Sequence, residues 1–85
     1  ASNDLVWHDV YVEKGGRYAL RIAARTNEPR KLYVDVNGRT VGLLTYSADS
    51  QQTVVVELKK GQNSVRLHND HERMPDVDFL LVEPK

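Results

Sequence analysis

The chain has 85 residues, no cysteine, and twelve Lys and Arg balancing twelve Asp and Glu, for a formal net charge of zero. This length allows a single core and works against a deep, enclosed active site; the absence of cysteine removes disulfides and thiolate chemistry but says nothing about compartment. With balanced charge and no basic block, neither nucleic acid nor an acidic membrane surface is expected as a partner, and no apolar run approaches membrane-spanning length.

The start, ASNDLVW, lacks the basic and apolar regions of a signal peptide, and strand-like sequence begins almost at once. This points to a mature domain or a piece of a longer protein. In the first segment Leu5 and Trp7 share one parity and Val10 and Val12 the other, so one strand buries all four only if its phase slips once. A β-bulge near His8 and Asp9 is the simplest such slip. EKGG (13–16) then turns into RYALRIAAR (17–25), with Tyr18, Leu20, Ile22 and Ala24 on one face and Arg17, Arg21 and Arg25 on the other. The arginine row reads as a solvated face that pairs with Glu57 or Asp35.

KLYVDV (31–36) places Leu32, Val34 and Val36 together and runs into Asn37-Gly38, the dipeptide best suited to a tight hairpin turn. TVGLLTYS (40–47) returns from that turn. TVVVELKK (53–60) buries Val54, Val56 and Leu58, and after Gly61 comes NSVRLHND (63–70) with Val65 and Leu67 inward. VDFLLVE (77–83) closes the series before Pro84. About seven strands at spacings of about ten residues, with polar turns and no helical stripe, predict an all-β sandwich in a single domain over 1–85. Trp7 and Tyr18 belong to its core, whereas Tyr11, Tyr33 and Tyr46 fall against the apolar parity or near a loop and are expected to be exposed.

The stretch HNDHERMPDVDFL (68–80) is the richest in polar chemistry. His68, Asp70, His71, Asp76 and Asp78 offer nitrogen and oxygen donors, but His68 and His71 are not held on one helical face, and no transition-metal template is met. In strand conformation Asp76 and Asp78 point the same way, an arrangement suited to calcium. Two carboxylates can act as acid and base in glycoside cleavage, but that requires a pocket that shifts a pKa, and no serine or cysteine is set beside a histidine in a recognisable elbow. The plain alternative is that Pro75 sets the direction of the last strand, that Asp78 caps backbone N–H groups, and that His68, Asn69 and Asp70 are solvated loop residues.

VYVEKGGRYALRIAAR, LYVDVNGRTVG, VELKKGQNSVRLHN and MPDVDFLLVE, in that order, resemble the jelly-roll carbohydrate-binding modules of families six and thirty-five, which are galactose-binding-domain-like. They are also similar to accessory domains at the ends of α-galactosidase-like glycoside hydrolases. The likeness covers about Asp4 to the C-terminus. It implies a jelly-roll-like sandwich lacking one family strand at its N-terminus, a structural calcium for which Asp78 is the matching ligand, and an extracellular or periplasmic setting. It further implies a non-catalytic module that holds a glycoside hydrolase domain of the same parent chain near an oligosaccharide or polysaccharide.

Sugar contacts are expected from the loop at Thr26 and Asn27 and from residues 69–76, with Asn27, Tyr46, Asn69, Asp70, His71 and Asp76 as the candidates. The aromatic platforms usual in sugar-binding relatives are replaced here by Ala24-Arg25 and, roughly, Asp49-Ser50. A second expectation therefore stands beside the first: a structural sandwich that packs on a catalytic domain and binds no sugar.

Overall fold

In the computed structural model, which describes residues 4–85, the alternating segments form seven strands. They are β1 (Asp4–Val12), β2 (Gly16–Arg25), β3 (Arg30–Val36), β4 (Arg39–Tyr46), β5 (Ser50–Leu58), β6 (Gly61–His68) and β7 (Asp76–Pro84). They make a four-stranded sheet in the order β1-β6-β3-β4 and a three-stranded sheet in the order β5-β2-β7, with every pairing antiparallel. The apolar parity of each strand faces the other sheet, so Leu20, Ile22, Leu32, Val34, Val65 and Leu67 are completely buried between the layers.

The phase slip expected in β1 is present: register shifts between Trp7 and Val10. On either side of it Leu5 and Trp7 pair with Leu67 and Val65, and Val10 pairs with Asn63, all on the inward face. Because β1 is an edge strand, Leu5 remains 41 % exposed and Trp7 only half-buried at the margin of the core. The hairpin turn is also as expected, with φ of 50° at Asn37 and 84° at Gly38, the left-handed pair that suits the twist of two antiparallel strands.

One turn end of the sandwich is tied by a single buried side chain, Asn63. Its Oδ1 accepts hydrogen bonds from Asn37 Nδ2 at 2.9 Å and from the Lys59 N–H at 3.0 Å. Its Nδ2 donates to the carbonyls of Val10 (3.2 Å), Lys59 (2.9 Å) and Gly61 (3.2 Å). One amide thus fixes the β1 bulge, the β3–β4 hairpin and the β5–β6 turn at once, which satisfies the requirement that a buried polar group be bonded.

The exposed-tyrosine expectation fails for Tyr46. Its ring is fully buried, and its hydroxyl donates to the Ile22 carbonyl at 2.7 Å across the two sheets. Gly42, Leu44 and Tyr46 form the inward parity of β4, and the adjacent pair Leu43-Leu44 conceals that phase in the sequence. Gly42 stands close under the opposing sheet: a Cβ there would lie 3.0 Å from Val54 Cγ2, so that side chain would have to give by a few tenths of an ångström. Tyr11 is exposed as expected, whereas Tyr33 is half-buried and stacks on His68.

The arginine row of β2 lies on the outer face of the three-stranded sheet; Arg17 stands opposite Glu57 of β5, as expected, and the other two arginines find partners elsewhere. Arg21 pairs with Glu83 at 3.1 Å and Arg25 with Asp78 at 3.0 Å, both on the neighbouring β7. Asp35 lies in the other sheet and cannot reach them.

Candidate functional site

In an antiparallel sandwich of this order, alternate connections fall at the same end. The β2–β3, β4–β5 and β6–β7 connections therefore gather opposite the Asn63 end, and between them lies a groove of about 570 Å³. Thr26, Asn27 and Glu28 line it from the first connection, Asp49 from the second, and Arg73, Met74 and Pro75 from the third; Arg25, Arg30 and Asp76 contribute from strand ends. No aromatic ring is among these residues.

Several lining groups are committed to building the walls. The Thr26 N–H donates to Asp49 Oδ1 at 3.0 Å, joining two of the connections, and Thr26 Oγ1 donates to the Glu28 carbonyl at 2.6 Å. Arg30 pairs with Glu28 and reaches the Arg73 carbonyl at 3.4 Å. By contrast, the side chains of Asn27, Arg73 and Asp76 have no hydrogen-bond or ion-pair partner among the described residues, so an amide, a guanidinium and a carboxylate face the groove uncommitted.

Of the sequence candidates, Asn27 and Asp76 line this groove, and Asn69, Asp70 and His71 do not. Asn69 is buried and shapes the loop: its Oδ1 accepts from the N–H groups of His71 and Glu72, each at 2.9 Å, and its Nδ2 donates to the Lys31 carbonyl at 3.2 Å. Such a bonded, buried amide is not free for a sugar hydroxyl. Asp70 turns to the outer face of the four-stranded sheet, where it pairs with Arg66 at 3.2 Å. His71 is exposed beside it. Tyr46 lies in the core and presents no ring face to a ligand. His68, expected to be solvated, is buried.

Arg30, Asp49 and Arg73 were not among the candidates. Asp49 and Arg30 were accessible from the order of connections, because once the strands are set, the second, fourth and sixth connections must share an end.

Calcium is held by about six to eight oxygens, largely carboxylate and carbonyl. Opposite Ala23 and Ala24 the register of β7 slips by one, with Asp78 the unpaired residue, and this separates the two acids expected to act together: Asp76 lines the groove, and Asp78 is ion-paired to Arg25. Among the described residues no group of three or more His, Asp or Glu side chains gathers to hold a metal. The surroundings of Asp78 therefore do not fit a calcium cage.

No family model matches the sequence, and no curated protein matches it. Solved structures do. A family 35 carbohydrate-binding module from Paenibacillus barcinonensis superposes with a TM-score of 0.86 over 99 % of this chain and 73 % of its own, at 18 % identity. The fold is that of the family 35 carbohydrate-binding modules. A family 35 module in complex with a glucuronic-acid-containing disaccharide aligns at 26 % identity and a TM-score of 0.75, over 96 % of this chain and 67 % of its own. The same family 35 fold aligns, at 19 % identity and a TM-score of 0.83, with 20 % of the chain of an exo-β-1,3-galactanase from Phanerochaete chrysosporium bound to β-1,3-galactotriose; 93 % of the present chain is covered.

Proposed function

We propose that this domain is a non-catalytic carbohydrate-binding module that takes a glycan in the end groove, and that it prefers a sugar bearing a carboxylate. The observation that carries this reading is the uncommitted trio of Asn27, Arg73 and Asp76 in a polar groove, on a fold shared with modules that bind sugars. Arg73 offers the planar fork that suits a carboxylate, and Asn27 and Asp76 supply the donor and acceptor groups that sugar hydroxyls require. Without an aromatic platform, affinity rests on these polar contacts and is expected to be on the order of 0.1–1 mM. The groove is open and pairs no nucleophile with a base, which favours holding a ligand over transforming it.

Such a module works by raising the local concentration of a linked enzyme at its glycan. The galactanase, in which this fold occupies a fifth of the chain, supports a glycoside hydrolase as the linked partner and with it an extracellular or periplasmic setting. A second reading, a structural domain docked on its neighbour, is favoured by a separate observation: Val55, Phe79 and Leu81 stand exposed together on the outer face of the three-stranded sheet.

Calorimetric titration with a glucuronic-acid-containing disaccharide and with β-1,3-galactotriose separates these readings. The module reading expects the acidic sugar to bind and its affinity to fall as salt is raised; no heat with either sugar, at millimolar concentration, supports the structural reading instead.

A further inference from the structure

Five wall residues of the groove form one unbroken chain of hydrogen bonds, and it runs beside two of the groups left free for a ligand. It starts in the β4–β5 connection, where Asp49 Oδ1 accepts the Thr26 N–H at 3.0 Å. Thr26 Oγ1 donates to the Glu28 carbonyl at 2.6 Å and accepts from the Glu28 N–H at 3.3 Å, closing a tight turn around Asn27. The Glu28 carboxylate pairs with Nη2 of Arg30, and Arg30 Nη1 donates to the Arg73 carbonyl at 3.4 Å. The chain thus joins all three connections, and Arg30 is the link that brings in the third.

The place of Arg30 suits it to this. It opens β3, where its backbone pairs with Tyr46 of β4, and its side chain is only 22 % exposed. A guanidinium presents its N–H groups in a rigid planar fork, so one arm can hold a carboxylate while the other holds a carbonyl. In the receiving connection the start is fixed by Asn69, which takes the N–H groups of His71 and Glu72, and the end by the buried Met74 and Pro75. Arg73 lies between them and is exposed. The bond to Arg30 is the only one its backbone makes among the described residues.

We propose that Arg30 is a positioning residue for glycan binding: held by Glu28, it fixes the backbone of Arg73 and so aims the free Arg73 guanidinium at the carboxylate of an acidic sugar. Arg30 acts through Arg73 and not on the sugar. The gain is preorganisation, because a long side chain gives up less freedom on binding when the backbone that carries it is already fixed. This inference rests on the binding reading for its functional consequence, but the hold on the loop is measurable without any sugar.

Two measurements test it. In the free protein, NMR relaxation gives backbone order parameters for the wild type and for R30K, which keeps the charge but replaces the fork with a point donor. The amides of Arg73 and Met74 are expected near about 0.85 in the wild type and below about 0.6 in R30K, with the strands unchanged. In the second measurement, affinity for a glucuronic-acid-containing disaccharide is followed by NMR titration through a double-mutant cycle of R30K and R73A. R30K is expected to weaken binding about fivefold in the wild-type background and by less than about twofold in R73A. Order parameters that stay high in R30K, or wild-type affinity in R30K, overturn the proposal. So does an equal loss in both backgrounds, because Arg30 would then meet the sugar itself. A disaccharide that binds no variant, the wild type included, removes the groove reading, and the order parameters then decide alone whether Arg30 holds the loop.

Discussion

The two ends of this sandwich solve opposite problems with the same antiparallel connectivity. At one end three tight turns converge on Asn63, whose amide makes five hydrogen bonds and is nearly fully buried. At the other, three connections leave a groove of about 570 Å³ in which an amide, a guanidinium and a carboxylate have no partner among the described residues. Satisfied polar groups hold a fold, whereas unsatisfied ones at a surface are what a ligand can engage. The difference separates the end that holds the fold from the end where the proposed glycan site lies, and substitutions at the two ends should divide accordingly.

The largest effect is expected at the closed end. Asn63→Ala leaves the Lys59 N–H and three carbonyls short of a partner in a buried place, and should cost about 3 kcal/mol or more in urea unfolding. Arg73→Ala, at the open end, should leave the melting temperature within about a degree and weaken binding of an acidic sugar by about tenfold, some 1.4 kcal/mol. If both variants lost stability equally, the division between the ends would fail.

Between the ends, Tyr46→Phe removes only the hydrogen bond to Ile22 and should cost about 1 kcal/mol. The same residue shapes the alkaline limb. Burial raises its hydroxyl from the usual 10 to about 12. Because the folded state keeps the proton longer than the unfolded chain, stability present below about pH 10 is lost progressively as pH rises toward about pH 12. Alkaline melts of Tyr46→Phe should lack this decline.

The smallest effect is expected at Asp78. Its pair with Arg25 is exposed, so Asp78→Asn should change stability by less than about 1 kcal/mol. A chelator should leave the melting temperature of the wild type unchanged; a drop of several degrees would instead show a metal bound to the native chain.

How far the molecule was legible in its sequence follows the range of each signal. Period-two alternation, the Asn37-Gly38 turn and the phase slip in β1 are written within a few residues, and all three stand in the structure. Tyr46 was misplaced because Leu43 and Leu44 offer both parities, and only Val54, packed over Gly42 from the other sheet, selects one. Asn69 and His68 looked like loop residues because what buries them, the Lys31 carbonyl, Asp35 and the Tyr33 ring, comes from a strand more than thirty positions earlier. That Asn27 and Asp76 line the groove was legible from the loops they sit on. Arg73 was passed over in favour of acids and histidines, although only the geometry shows that it alone of the three groove arginines has no partner among the described residues.

The central claim is that ligands meet this domain at the open end. Amide-shift NMR during titration with a glucuronic-acid-containing disaccharide tests it most directly. The account predicts that saturable shifts concentrate at Thr26–Glu28, Asp49 and Arg73–Asp76 while the amides around Asn63 stay still. Saturable shifts centred on the outer sheet faces or on the Asn63 turns, with the groove silent, would contradict it.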